Sequence, residues 1–174
     1  VGLAAEVVPG DVDESTLPGE PAEACAQRLA RSKAAVVALR RPEAIVLAAD
    51  TIVTIDGLLL GKPLDEADFR RTLALLSGRT HRVITAVAVR RANDLLEQAV
   101  CSDVSMRSIP DRELSWYWQT GEPRDKAGGY ALQGAGGVFI ERVNGSHSNV
   151  IGLPLLETLA LLERAGLDMP WSVS

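Results

Sequence analysis

The chain has 174 residues, 24% of them charged, and a net charge of −5. That length suits one domain with a substantial core, and that composition excludes a globally disordered chain. The acidic balance, without a basic stripe, excludes duplex nucleic acid as a partner, and no apolar run approaches the about 18 residues of a membrane span.

The chain opens inside what reads as the end of a helix-to-strand connection, so a segment preceding Val1 is expected. "AAEVVPG" (4–10) reads as a short strand. Residues 21–39, "PAEACAQRLARSKAAVVAL", read as a helix opened by Glu20 and Pro21. Cys25, Leu29, Lys33 and Val37 step by four along it, so a lysine interrupts an apolar stripe. "AIVLAAD" (44–50) and "TIVTIDG" (51–57) read as strands, the first ending on Asp50. Asp56-Gly57 forms a hairpin turn, and "LLLGKP" returns as its partner. "DEADFRRTLALLSG" (65–78) predicts a helix capped by Asp65 and closed at Gly78. "THRVITAVAVRRAN" (80–93) predicts a long strand, and "LLEQAVCSDVSMRSI" (95–109) the next. "PDRELSWYWQTG" (110–121) is a helix, "GGVFIERVNG" (136–145) a strand and turn, and "PLLETLALLERAG" (154–166) an amphipathic last helix. Strands and helices interspersed with hairpins predict an α/β domain with a mixed central sheet flanked by helices. Cys25 and Cys101 have neither ligand nor redox spacing, which suits a reducing cytoplasm.

A carboxylate at a strand's carboxyl end, as Asp50 is read, is where ligands meet open α/β sheets. Phosphate chemistry needs a divalent metal on one or two carboxylates, with cations around the phosphates. "PGDVDES" (9–15) offers Asp11, Asp13 and Glu14 as a second acidic cluster, or simply as a solvated turn. Asp50 itself could be a plain cap. Lys33 either snorkels to solvent or leans into a cleft to meet phosphate, and Lys62 in "GKP" has the same ambiguity. "GEPRDKAGGYALQGAGG" (121–137) is too rich in Gly for a packed strand and can bring backbone donors near a ligand. Within it Gln133 could read a base edge or merely close a turn. "GSHS" (145–148) is no nucleophile elbow, and His81 reads as structural or surface.

Each signal is weak alone, but their order is specific. "DVDE", "RLARSKA", "ADTIV…DG…LGKP", "LSGRTHRVITAVAV", "WYWQTGEPRDKAGGYALQG" and "NGSHSNVIGLPL" together closely resemble the Maf family of nucleoside triphosphate pyrophosphatases, over about residues 3–166. The resemblance implies an inosine-triphosphatase-like fold of two lobes around a cleft. It implies hydrolysis of a nucleoside triphosphate between the α and β phosphates, to clear non-canonical nucleotides, with a link to septum formation and cell division. By the same resemblance Asp50 is the general base and a metal neighbour, Glu14 a metal ligand, and Lys33 and Lys62 phosphate binders. Thr51 and Gln133 fall on specificity positions, where Thr and Gln mark the dTTP/UTP branch; the 7-methyl-GTP branch looks like "SDQ" and "EG" there. The expected metal is Mg²⁺ or Mn²⁺ and the expected partner a nucleoside triphosphate; the oligomeric state is left open, a homodimer included. The family begins with a strand and a loop resembling S-x-S-P-R-R, which nothing in residues 1–14 matches. One domain over residues 1–174, preceded by that segment, is therefore expected. The competing class is a nucleotide-binding regulator of septum formation without turnover.

Overall fold

A computed structural model describes residues 2–171. Five strands form one sheet: β1 (Ile45–Ile55), β2 (Leu58–Leu60), β3 (Thr80–Arg91), β4 (Asp94–Met106) and β5 (Ile140–Asn144), in the order β2-β1-β3-β4-β5. Five α-helices accompany them: α1 (Ala22–Arg40), α2 (Glu66–Leu76), α3 (Asp111–Gln119), α4 (His147–Ile151) and α5 (Leu155–Arg164). The α/β class holds. Among the described residues every strand pairing is antiparallel, so the parallel part of the expected mixed sheet is not found in them.

Two strands expected on either side of Asp50 are one. β1 runs unbroken from Ile45 to Ile55, because β3 pairs with it throughout, Asp50 opposite Ala86 and Thr51 opposite Thr85. Asp50 therefore lies mid-strand and not at a strand end. Asp56 and Gly57 both take positive φ, 51° and 79°, the type I′ geometry whose twist matches a two-residue hairpin. The short return strand β2 pairs only with residues 53–55, which leaves the outer edge of β1 before Val53 without a strand neighbour among the described residues. The expected strand at 4–10 does not form. With no ladder partner, this segment runs irregularly past α1.

β3 is the spine, buried continuously from Val83 to Val89. Such a strand reads as a near-continuous apolar run because both its faces are covered. On one face Ala26, Ala30 and Ala34 of α1 pack on Val46, Ile84, Ala86 and Ala88, small side chains that let helix and sheet approach closely. On the other face two clusters divide the sheet. One gathers Phe69 and Leu73 of α2, Tyr117 of α3 and Phe139 around Val53, Val83 and Val104; the other sets Leu161 and Leu162 of α5 on Val87 and Val89. α2 begins as predicted: the Asp65 carboxylate accepts the Asp68 N–H at 2.7 Å, a cap worth about 1 kcal/mol. α4, which carries Asn149, was not anticipated; its single turn is too short for a periodic signal. Val150 beside it packs on the first cluster and Leu153 on the second, so the segment bridges both.

Candidate active site

Successive side chains of a strand point to opposite faces. Asp50 therefore faces α1 while Thr51 faces the other side, and both line one cleft at the edge of β1 that has no strand neighbour among the described residues. Its volume is about 390 Å³, and Glu14, Lys33, Asp50, Thr51, Lys62 and Gln133 all line it. The six residues singled out from the sequence share one cavity.

The α1 side is a chain of alternating charges. Lys33 extends the row of buried Cys25 and Leu29, and its Nζ sits 2.6 Å from Asp50 Oδ1 and 2.6 Å from Glu14 Oε1. Lys62, just after β2, lies 3.5 Å from Glu14 Oε2. Side-chain exposure rises along this chain from 11% for Asp50 and 22% for Lys33 to 47% for Glu14 and 59% for Lys62. Asp50 is thus the water-poor end and Lys62 the mouth. Burial raises the Asp50 carboxyl above the ordinary aspartate range; Lys33 pulls the other way without prevailing, and Glu14 adds like-charge repulsion. For Lys33, burial alone would lower the ammonium, but the hydrogen bonds to Asp50 and Glu14 leave it raised. Its hydrogen bond to Lys33 lowers Glu14. An ammonium has three N–H donors, so with two engaged Lys33 keeps one for a ligand oxygen. Gly10 packs on the Lys33 main chain, where an added Cβ would come within 3.2 Å of the carbonyl, and so guides the irregular segment that delivers Glu14. Of the acidic cluster only Glu14 reaches the cleft. Asp13 folds back to accept the Ser15 N–H at 2.9 Å, the turn its sequence also allowed.

On the opposite side the groups nearest β1 are hydroxyl and amide, and the charged residues of the loop lining, Asp125 and Lys126, pair with each other at 2.8 Å. Thr51 Oγ1 lies 2.8 Å from Thr85 Oγ1, its partner across the β1–β3 ladder. Gln133, Tyr130 and Ala131 arrive on the glycine-rich loop, and Gly128 N donates to Gly61 O at 3.0 Å, tying that loop to the hairpin that carries Lys62. Tyr130 is anchored beneath by His81, Nε2 to hydroxyl 2.7 Å. A half of lysines paired with acids, beside a half with amide and hydroxyl groups, suits a ligand that is phosphate at one end and heterocycle at the other.

The sequence matches the Maf family, described as Maf-like protein, over residues 1–165. The chain belongs to the Maf family. It is 53% identical to the dTTP/UTP pyrophosphatase of Anaeromyxobacter dehalogenans (strain 2CP-1) over 98% of its length, covering 88% of that protein. The protein of the same name from Myxococcus xanthus is 54% identical over 94% of this chain and is covered to 83%. That from Chromobacterium violaceum is 46% identical over 98% of this chain and is covered to 88%.

Three carboxylates line the cleft, Glu14, Asp50 and Asp125, the last of them paired with Lys126 at 2.8 Å. Among the described residues no group of three or more His, Cys, Asp or Glu forms a cage. Glu14 and Asp50 already share one cation, the Lys33 ammonium, and two carboxylates completed by phosphate and water fit a hard ion such as Mg²⁺ or Mn²⁺. Sequence reasoning missed Thr85 and Asn149, which stand behind Thr51. One signal was present: Thr85 is the lone hydroxyl in the run "VITAVAV", fully buried with apolar neighbours on both sides. His81, read as structural or surface, is structural, 2% exposed. Ser146 caps α4, accepting the Asn149 N–H at 3.2 Å, so "GSHS" serves a helix start.

Proposed function

We propose that this chain is a nucleoside triphosphate pyrophosphatase that hydrolyses dTTP, UTP and modified pyrimidine nucleotides to the monophosphate and pyrophosphate. The observation that carries the reading is the two-sided cleft, with Asp50 and Lys33 on one face of β1 and Thr51 on the other, in a Maf chain about half identical to proteins of that name.

Asp50 accepts a proton from water as its oxygen attacks the α-phosphorus in line; the bond from that phosphorus to the α–β bridging oxygen breaks, and pyrophosphate leaves. A carboxyl raised by burial is a stronger base than an exposed one, closer to the pH at which it must work. Lys33 holds Asp50 in place and turns its remaining donor to a phosphate oxygen, while Lys62 at the mouth meets charge developing on the leaving group. Glu14 orients Lys33 from the other side. A divalent cation on Glu14 and Asp50 would supply further charge neutralisation and a water of lowered pKa. Thr51 and Gln133 receive the base. Action on a cytoplasmic nucleotide pool belongs to the same proposal, supported by two free cysteines, as does the link to septum formation.

The test is pyrophosphate release from a panel of nucleoside triphosphates with Mg²⁺, with Mn²⁺ and with a chelator. Metal-dependent release, greatest for UTP and dTTP, is expected. Binding of UTP without release would replace this reading with that of a nucleotide-binding regulator.

A further inference from the structure

We propose that Thr51 meets the base as a hydrogen-bond acceptor of fixed polarity, set by Thr85 and Asn149, and so selects uracil and thymine over cytosine. The proposal rests on the cleft being a pyrimidine nucleotide site.

The relay starts from a group with no choice. The main-chain carbonyl of Asn149 can only accept, and Thr85 Oγ1 lies 2.9 Å from it, so the Thr85 hydroxyl donates there. A hydroxyl has one hydrogen, and Thr85 has spent it. In the 2.8 Å contact between Thr85 Oγ1 and Thr51 Oγ1 the donor must then be Thr51. Thr51 has no hydrogen left, and what it offers the cleft is lone pairs. Both supporting residues are 0% exposed, so water cannot substitute for either partner and reverse the order. Asn149 is itself immobilised: its Oδ1 accepts the Thr85 N–H at 3.0 Å, and its Nδ2 donates to Val83 O at 3.0 Å and to Ser102 Oγ at 2.9 Å. One carboxamide fixes the strand, the helix turn and the hydroxyl relay.

Gln133 cannot make this distinction. It is exposed and has no hydrogen bond among the described residues to fix its amide. A half-turn of that amide presents oxygen or NH₂ as required, so it can serve either pyrimidine. Uracil and thymine carry a donor at N3 between two carbonyl acceptors; cytosine carries a lone pair at N3. With the Thr51 lone pairs meeting N3, the first two gain a hydrogen bond, whereas cytosine sets lone pair against lone pair, its own donor being the 4-amino group beside that position. The 5-methyl group plays no part, so thymine and uracil are accepted together. Thr85 and Asn149 are positioning residues, and Thr51 the specificity determinant they orient.

The experiment compares kcat/KM for UTP and CTP in the wild type, Thr85→Val and Thr85→Ser, and adds 3-methyluridine triphosphate, which lacks the N3 hydrogen, as a substrate of the wild type. The wild type is expected to prefer UTP to CTP by at least about tenfold, the scale of one unmatched polar contact, and to discriminate likewise against the 3-methyl analogue. Thr85→Val keeps the shape but frees the Thr51 hydroxyl to rotate, and should bring the UTP/CTP ratio to within about threefold of unity. Thr85→Ser should restore it. A merely structural Thr85 would lower both substrates alike; an unchanged ratio in Thr85→Val therefore overturns the relay. Equal use of UTP and the 3-methyl analogue by the wild type overturns it too, even if the valine variant does not fold. Absence of UTP hydrolysis by the wild type would instead overturn the pyrophosphatase reading, and this proposal with it.

Discussion

Asp50 combines two demands that pull apart. Chemistry wants a carboxylate that is ionised yet basic, and stability disfavours a negative charge where little water reaches. Burial raises its pKa, and Lys33 at 2.6 Å keeps the ion tolerable. Asp50→Asn should lower kcat by about a hundredfold or more, since general-base catalysis is worth roughly 10² to 10⁴, while UTP still binds. In the metal-free variant Lys33 keeps Glu14 as a partner at 2.6 Å, and the desolvated charge is gone. Urea unfolding at pH 7 should therefore place its stability within about 1 kcal/mol of the wild type. A folded variant that retains more than a tenth of wild-type kcat would remove Asp50 from the base role, and one that unfolds would show that the carboxylate stabilises the fold. Legibility differed from residue to residue. Lys33 could be picked out because it broke an apolar row; Thr85 and Asn149 could not be connected, since nothing in one dimension puts residues 64 apart against each other.

At the scale of elements the site depends on one loop and one hairpin being locked together. Gly128 takes φ +70°, and a Cβ added there would lie 2.9 Å from Val53 Cγ1, in the middle of the sheet's first cluster. Its N–H also reaches the Gly61 carbonyl next to Lys62. Gly128→Ala therefore meets both backbone strain and overpacking, and should cost about 2–3 kcal/mol by urea unfolding. Because the shifted loop carries Gln133 and leans on the Lys62 hairpin, KM for UTP should rise more than kcat falls. A variant with wild-type stability and KM would show that the loop contributes nothing to placing either residue. The hairpin was legible, because Asp-Gly at a type I′ turn is a local requirement. The supposed strand at 4–10 was misread for the converse reason: apolar residues license a strand, but only a partner's backbone makes one.

Across the whole molecule, His81 on β3 and Tyr130 in the loop tie the sheet to the cleft wall. Burial lowers the His81 imidazole from 6.5 to about 4, and a protonated ring would need an acceptor for Nδ1, which has none among the described residues. The native state therefore holds this side chain neutral where the unfolded chain would protonate it. Folded pKa below unfolded means stability that is full above about pH 6.5 and lost as pH falls toward about 4. The loss amounts to about 3 kcal/mol, from roughly 1.4 kcal/mol per pH unit. Urea unfolding of the wild type and His81→Gln between pH 4.5 and 7 should show the wild type losing stability more steeply, the difference isolating this residue from the carboxylates. Parallel curves would mean that His81 titrates alike in both states.

By itself the sequence determined the α/β class, the helix from Asp65 to Gly78, the Asp56-Gly57 hairpin, and six of the side chains that line the cleft. These follow from short-range rules, periodicity, capping and turn chemistry, or from motifs preserved in order along the chain. Only the tertiary structure decided that Asp50 sits mid-strand where β1 has a strand neighbour on one side alone among the described residues, that Asp50 and Thr51 face opposite sides of one cleft, and that Asn149 stands behind Thr51 through Thr85. Strand pairing sets these things. Whether an edge is open, which face a residue turns to a ligand, and which way a hydroxyl must donate all depend on groups brought together from distant parts of the chain.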